Sequence, residues 1–178
     1  MVSARGVLRT EGFLYALDNG AWTAHQQDED FDVAAFEKAL GKLGADADFI
    51  VVPDIVAGGM KSLDFSMSWL DRLMTLGGPR LLVAVQDGMT PGHLAGVVSD
   101  RVGIFLGGST EWKLSTLTSW GKFARKKDIY FHVGRVNTSR RIAHCSAWAD
   151  SFDGSGPSRF YKELSRLDTA RRQISWPM

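Results

Sequence analysis

Carboxylate and amide side chains follow several short apolar segments of this sequence, at the point where each segment ends. The pattern is clearest in SFDGSG, residues 151–156, where Asp153 directly precedes a glycine, and it recurs at Asp18, Asp54 and Gln86. A turn is the plainer explanation for any one such aspartate, because aspartate commonly begins turns and caps helices. An active site is the alternative, because a carboxylate held rigidly at the mouth of a barrel can act as a nucleophile or move a proton.

Six short apolar segments have the composition of buried strands. They are rich in β-branched and aromatic residues, and their nearly continuous apolarity favours a parallel sheet that is covered on both faces. The N-terminal stretch VSARGVL is a candidate for a seventh strand. The six segments lie at 12–20, 47–54, 80–88, 101–108, 128–135 and 149–156.

Helical periodicity occurs between these strands, which predicts an α/β fold with right-handed crossovers. No G-x-G-x-x-G motif follows the first strand, so the chain lacks the signature of an open dinucleotide-binding sheet. In a barrel, by contrast, the polar residues at the strand ends would converge on one pocket. The predicted helices lie at 31–43, 62–76, 114–127, 139–147 and 158–172.

We therefore predict one domain, residues 1–178, with a contracted TIM-barrel-like (β/α)8 fold of parallel strands and outer helices. A typical barrel of this class takes about 250 residues. The shorter chain predicts a barrel that is either contracted, or incomplete and closed by a partner, which would be a second copy or an accessory protein.

Composition excludes several classes of protein. The single cysteine, Cys145, rules out an internal disulfide and a cysteine-rich zinc site, and the four histidines are too scattered to indicate a metal site. Neither a signal peptide nor a membrane span is apparent, so we expect a cytoplasmic protein.

Residues 1–110 hold 8 Lys and Arg against 14 Asp and Glu, whereas residues 111–178 hold 13 against 6. This division indicates either a basic face for a polyanion or mutual neutralisation of the two halves.

Five motifs occur in the order used by tRNA-guanine transglycosylases: LDNGAW (17–22), VVPDIV (51–56), VAVQDGM (83–89), FLGGS (105–109) and SFDGSGPSR (151–159). The chain resembles that superfamily. The stretches DNGAW, QDGM, GGSTEWK and HVGRVNTSRR are most similar to its DNA-acting branch, the deazapurine-in-DNA transglycosylases of bacteria and phages. The resemblance implies replacement of guanine in DNA by a free 7-deazaguanine such as preQ0 or a derivative, without a metal or redox cofactor.

Catalytic and base-binding roles follow from the resemblance, position by position. It implies that Asp153 attacks the sugar C1′ to give a covalent glycosyl-enzyme, as in a retaining glycosidase. It implies that Asp18 manages the protons of the departing and arriving bases. Asp54 would accept hydrogen bonds from guanine N1 and the 2-amino group, and Gln86 would donate to O6. Further base contacts are implied for the backbone of Gly107 and Gly108, and His132 is expected either to contact the base from the pocket wall or to belong to the core.

Basic residues near the strand ends are candidates for phosphate contacts. Arg159 could hold a phosphate near the nucleophile or cap a neighbouring carboxylate. Trp22 and Trp112 could stack on a base or be buried in the helical layer. The other candidates share the segment after the 128–135 strand, which starts at the barrel mouth, and are Arg135, Asn137, Arg140 and Arg141.

Two departures from the family favour DNA, or a smaller substrate, over tRNA. The single cysteine cannot build the zinc site of the tRNA-acting members, so we expect no such subdomain, and Gly-Gly-Ser-Thr stands where the family has Gly-Gly-Leu-Ala. Asp150 is an alternative nucleophile.

A nucleosidase or DNA glycosylase of the same fold, in which water resolves the intermediate, is one alternative function. A non-catalytic barrel that binds nucleotide or nucleic acid within a modification complex is the other.

Overall fold

Seven parallel strands form one sheet whose spatial order is the order of the chain. The computed structural model describes residues 1–155, together with Ser165 and Thr169. Each of the six segments predicted as strands contains one, and VSARGVL contains the first. The strands are β1 Val2–Ser3, β2 Leu17–Asp18, β3 Phe49–Val51, β4 Arg80–Val85, β5 Val102–Leu106, β6 Phe131–Val133 and β7 Ser151–Phe152.

Helices connect most of these strands. The four predicted helices that fall within residues 1–155 are present, and the one predicted at 158–172 lies almost wholly outside the described residues. The helices are α1 Ala21–Gln26, α2 Val33–Leu43, α3 Met60–Thr75, α4 Pro91–Leu94, α5 Thr110–Lys127 and α6 Ser139–Ser146.

Capping explains why α5 begins earlier than the sequence-based prediction. Helix α5 begins four residues before the predicted start at 114, because the Ser109 side chain accepts a hydrogen bond from the Trp112 amide and caps the first turn. The short helices α1 and α4 were not predicted. Helix α1 starts after Gly20, which has a left-handed φ of 83°, and has only six residues. Segments this short carry little periodicity to detect.

The strands are apolar on both faces because each face packs against a different layer. In β4, Leu81, Val83 and Val85 belong to the large hydrophobic cluster that the sheet forms with the helices. Leu82 belongs instead to a small cluster on the opposite, inner face of the curved sheet, with Phe49 and Val51 of β3. Burial on both sides accounts for the unbroken apolar runs in the sequence.

The architecture is a contracted α/β barrel, as the sequence predicts. Within the described residues the sheet has seven strands, and β1 and β7 lie at its two ends. In the part of the chain that the structure describes, no helix combines the length and the apolar character needed to cross a bilayer.

Candidate active site at the carboxyl ends of the strands

A cavity of about 530 Å³ lies at the carboxyl ends of the strands. Its size is typical of small-molecule sites, which range over about 300–1,000 Å³. The three carboxylates to which the resemblance gives catalytic or base-binding roles share this cavity, although they are spread over 135 positions of the chain, from 18 to 153. The sequence-predicted residues in its wall are Asp18, Asp54, Gln86, Gly107, Gly108, Arg135 and Asp153.

The Asp54 carboxylate is held by two amide groups in the wall of the cavity. Its Oδ1 accepts a hydrogen bond from Asn19 Nδ2 at 2.8 Å, and its Oδ2 accepts one from Gln86 Nε2 at 2.7 Å. Asp54 is 8% exposed, and burial raises its pKa to about 6, with the nearby charge of Asp18 acting in the same direction and the two amides opposing. Asp54 is therefore an ionised acceptor at neutral pH.

Asn19 belongs to this network and was not singled out in the sequence. Its Nδ2 also donates to the carbonyl of Val52 at 2.8 Å, and its Oδ1 accepts from the amide of Ala21, where α1 begins. One buried side chain thus connects the first helix, the end of β3 and the Asp54 carboxylate. Its place inside the motif LDNGAW was the available signal.

In this structure the side-chain amide of Gln86 donates a hydrogen bond to Asp54, so Gln86 influences the cavity by holding that carboxylate. Besides Asp54, its Nε2 lies 2.9 Å from the carbonyl oxygen of Ile55 and 2.9 Å from Ser62 Oγ. Its Oε1 is buried and has no hydrogen-bond partner among the described residues. For Gln86 to donate to a base, as the family resemblance implies, it would have to exchange one of these bonds.

Asp153, at the end of β7, is held from one side only. Its Oδ1 accepts hydrogen bonds from the backbone amide of Arg135 at 2.9 Å and from His132 Nε2 at 3.2 Å. Partial burial acts to raise the pKa of Asp153, but His132, the Arg135 amide and the charge of Lys113 outweigh it, so the net shift is downward. Oδ2 accepts no hydrogen bond from a described residue, and the side chain is 33% exposed.

Asp18, at the end of β2, has the opposite electrostatic character. Burial raises its pKa, and the charge of Asp153 acts in the same direction. Of two carboxyl groups in one cavity, Asp153 is thus favoured as the carboxylate and Asp18 as the group that binds a proton more readily. Such divergent environments are typical of paired acid–base and nucleophilic carboxyls.

His132 was predicted as a base-contacting residue of the pocket wall or a core residue, and it lies behind the wall. Its side chain does not line the cavity and is 3% exposed. The ring stacks on Phe105 with centroids 4.9 Å apart and planes 25° apart. His132 therefore contacts Asp153 rather than the open space of the cavity.

Lys113 is a buried cation close to Asp153 that the sequence analysis did not select. It is 5% exposed, and its Nζ donates to the carbonyl of Gly134. Burial and the charge of Arg135 lower its pKa to about 8, against the opposing charge of Asp153. The position of Lys113 on α5, within GGSTEWK, gave no sign of burial because lysine is rarely buried.

Arg135 lies at the mouth of the cavity. Its backbone adopts a left-handed φ of 59°, and its Nη2 donates to the carbonyl of Gly108 at 2.8 Å. The guanidinium lies 4.2 Å from the ring centroid of Trp22, which is 40% exposed and also lines the cavity. Trp112, the other tryptophan considered for stacking, packs against the core.

The remaining basic candidates lie beside the mouth or outside the described residues. Asn137 and Arg140 are exposed, Arg141 is half-buried, and none of the three lines the large cavity. They precede or begin α6, which follows the carboxyl end of β6, so they are at the same end of the barrel as the cavity. Arg159 lies outside the described residues.

Comparisons with known proteins relate this chain to others through its fold. Two structures of tryptophan synthase from M. tuberculosis are similar: a ligand-free form of a mutant protein (TM-score 0.51, 20% identity, 90% of this chain and 60% of that one) and an open form with BRD0059 bound (TM-score 0.49, 20% identity, 89% and 58%). This chain thus spans about three fifths of the length of those chains. No protein-family model and no curated protein matches the sequence. The protein is an α/β barrel of the TIM class, with its candidate site at the end of the barrel where such folds place their active sites.

Proposed function

We propose that this protein is a base-exchange transglycosylase that replaces guanine in DNA with a free 7-deazaguanine, such as preQ0 or a derivative, through a covalent aspartyl-glycosyl intermediate. The observation that carries the proposal is the meeting of Asp18, Asp54 and Asp153 in one cavity, with the pKa of Asp153 lowered and those of the other two raised. The order of the motifs is the basis of the resemblance to the transglycosylase superfamily, and the barrel brings the motif residues to one cavity.

Asp153 is the nucleophile in this mechanism. Its Oδ2 forms a bond to the sugar C1′ while the bond from C1′ to the guanine nitrogen breaks, and the leaving base takes the electron pair of that bond. Asp18, whose pKa is raised, gives a proton to the departing base. In the second step Asp18 removes a proton from the incoming 7-deazaguanine, whose ring nitrogen attacks C1′ and displaces Asp153. Two displacements retain the anomeric configuration.

Asp54 selects the base. An ionised carboxylate accepts hydrogen bonds from the N1–H and 2-amino groups of guanine, and adenine has neither of these donors. A buried polar site built for hydrogen bonds rejects a ligand that leaves its groups unpaired, by factors of about 10⁴ or more. The amides of Asn19 and Gln86 hold the carboxylate in place for this role.

DNA is the substrate that the surroundings of the cavity favour. The target base must leave the helix stack to bring C1′ to Asp153, because a stacked base is inaccessible. Trp22 and Arg135 at the mouth offer a ring and a guanidinium to the extruded nucleotide. Arg140 on the same end of the barrel belongs to the net basic part of the sequence and can contact the backbone phosphates.

Incubation of the protein with duplex DNA and either labelled guanine or labelled preQ0 tests this function. Incorporation of label into an intact strand is the expected result, and the Asp153→Asn variant is the matched control without a nucleophile. Abasic sites without incorporation would overturn the proposal in favour of a glycosylase. Tight DNA binding without any change to the strand would overturn it in favour of a non-catalytic barrel.

A further inference from the structure

A chain of four hydrogen-bonded side chains runs along the inner face of the sheet to the candidate nucleophile. Tyr130 Oη lies 2.9 Å from Ser151 Oγ, Ser151 Oγ lies 2.7 Å from His132 Nδ1, and His132 Nε2 lies 3.2 Å from Asp153 Oδ1. We propose that His132 is a positioning residue for Asp153, and that Ser151 and Tyr130 keep its proton on Nε2. This inference rests on the proposed function, in which Asp153 is the nucleophile.

The histidine ring is locked by the aromatic residues around it. One face stacks on Phe105, and the centroid of Phe49 lies 5.1 Å from that of the histidine, with the planes tilted by 54°. The side chain of His132 is almost fully buried. A ring packed in this way cannot rotate freely, so the direction in which its Nε2 points is set by the core and not by the ligand.

The partners of the ring determine which nitrogen carries the hydrogen. Asp153 as a carboxylate can only accept, so Nε2 must donate to it. With its single hydrogen on Nε2, the ring presents Nδ1 as an acceptor, and the hydroxyl group of Ser151 can donate to it. Ser151 in turn accepts the hydroxyl hydrogen of Tyr130. Every hydrogen in the chain has an acceptor, which makes the arrangement self-consistent.

The consequence is a carboxylate with one fixed and one available oxygen. His132 and the backbone amide of Arg135 both donate to Oδ1 of Asp153, and two donors on one oxygen oppose rotation of the group. Oδ2 is the atom left without a protein donor among the described residues. Loss of His132 would leave a single donor, so the attacking oxygen would be less well aligned. Misplacement by about 1 Å can cost a hundredfold in rate.

Two variants separate positioning from simple structural support. His132→Phe keeps a ring between Phe49 and Phe105 but removes both nitrogens, and Ser151→Ala removes the group that sets the tautomer. We expect His132→Phe to lower kcat for base exchange about 10- to 100-fold while the KM for the free base changes less than about twofold. Ser151→Ala should lower kcat less, with the same unchanged KM. His144→Phe, on the exposed face of α6, is the matched control and should behave as wild type.

The tautomer provides a second measurement that does not depend on turnover. In ¹⁵N spectra of the histidine side chains, the signals lost in His132→Phe should be those of a ring protonated at Nε2 and not at Nδ1. Ser151→Ala leaves only Asp153 to favour the hydrogen on Nε2, so signals of a minor form protonated at Nδ1 should appear. Unchanged kcat in a folded His132→Phe would overturn the inference while leaving the transglycosylase proposal intact. Protonation at Nδ1, either alone or together with Nε2, would also overturn it. If no base exchange occurs at all, the proposed function fails, whereas the spectra still decide the placement of the proton. If His132→Phe does not fold, kcat and the spectra of Ser151→Ala decide the outcome.

Discussion

Gln86 Nε2 donates a 2.7 Å hydrogen bond to Asp54 Oδ2, across the ends of the neighbouring strands β3 and β4. The two residues are 32 positions apart in the chain, and parallel pairing brings them together at one edge of the sheet. The bond stabilises the charged form of a carboxyl whose burial nevertheless raises the pKa to about 6. Asp54 therefore gives the cavity wall a hydrogen-bond acceptor for a ligand at neutral pH, and the same group is protonated in mild acid.

This raised pKa predicts the pH dependence of stability. The folded pKa of Asp54 is about 6, above the ordinary value of 3.8, so the folded state takes up a proton between these values and the unfolded state does not. The stability of the wild-type protein relative to Asp54→Asn should therefore rise as the pH falls from 7 to 4, by up to about 3 kcal/mol. Urea unfolding of both proteins at several pH values measures the difference. Titrating groups that do not interact with Asp54 cancel in it, whereas Asp18, whose charge acts on Asp54, does not cancel. A difference independent of pH would contradict the burial of an ionisable Asp54.

Substitution of Asp153, the proposed nucleophile, should separate chemistry from binding. Asp153→Asn keeps the size of the side chain but removes its charge, so we expect base exchange to fall by at least about a thousandfold. Guanine binding should persist, because the proposed contacts to the base are made by Asp54. The measurements are incorporation of labelled guanine into DNA and equilibrium binding of free guanine.

Asp150 is the matched control for Asp153, since it was the alternative nucleophile. Its Oδ2 accepts a hydrogen bond from the Phe131 amide at 2.7 Å, the side chain is exposed, and it does not line the cavity. We expect Asp150→Asn to retain exchange within about threefold. A loss of exchange in Asp150→Asn with retention in Asp153→Asn would move the nucleophile to Asp150.

Reversal of a charge at the barrel mouth should lower the affinity for DNA. It should also make that affinity less dependent on salt concentration. Arg140 is exposed in the first turn of α6, at the end of the barrel that holds the cavity. If it contacts a phosphate, Arg140→Glu should reduce the slope of log affinity against log salt concentration by at least about 0.9. Lys42→Glu, an equal charge change in the last turn of α2, should leave that slope unaltered. Equal slopes for wild type and Arg140→Glu would mean that the charge balances neighbouring residues instead.

A side chain at position 108 should destabilise the loop after β5. Gly108 has a φ of 73°, and a Cβ there would lie 2.5 Å from Asp87 Oδ2 and 2.8 Å from the ring of Trp112. Asp87 accepts hydrogen bonds from the amide and the hydroxyl of Ser109, so the clash would disturb the start of α5. We expect Gly108→Ala to lower the free energy of unfolding by about 1–3 kcal/mol.

Gly41 is the matched control for this substitution. It lies within α2, and a Cβ at this position would meet nothing within 4 Å. Gly41→Ala should raise the free energy of unfolding by about 0.5–1 kcal/mol, because alanine is the better helix former. Chemical denaturation of both variants provides the comparison. If Gly108→Ala left the free energy of unfolding unchanged, the loop would have to tolerate a different backbone conformation.

Much of the fold was accessible from local sequence. Apolar runs located six of the seven strands, and the N-terminal stretch that was a candidate for the seventh contains β1; helical spacing located α2, α3, α5 and α6. The order of polar residues at the strand ends identified seven residues of the cavity wall, because parallel strands deliver their carboxyl ends to one side. Helices α1 and α4 escaped detection, since six and four residues show too little periodicity.

Only the tertiary structure decided how these residues act on one another. Hydrogen-bond partners and desolvation depend on groups that are distant in the chain, so no local pattern reveals that Gln86 Nε2 serves Asp54 or that His132 supports Asp153 from behind. The same holds for the buried Lys113 beside Gly134. Strand composition and motif order are properties of the chain and were sufficient to predict a barrel with carboxylates at its mouth. The division of those carboxylates into one held ionised and two that bind protons more readily arises from burial and contact, which exist only after the chain has folded.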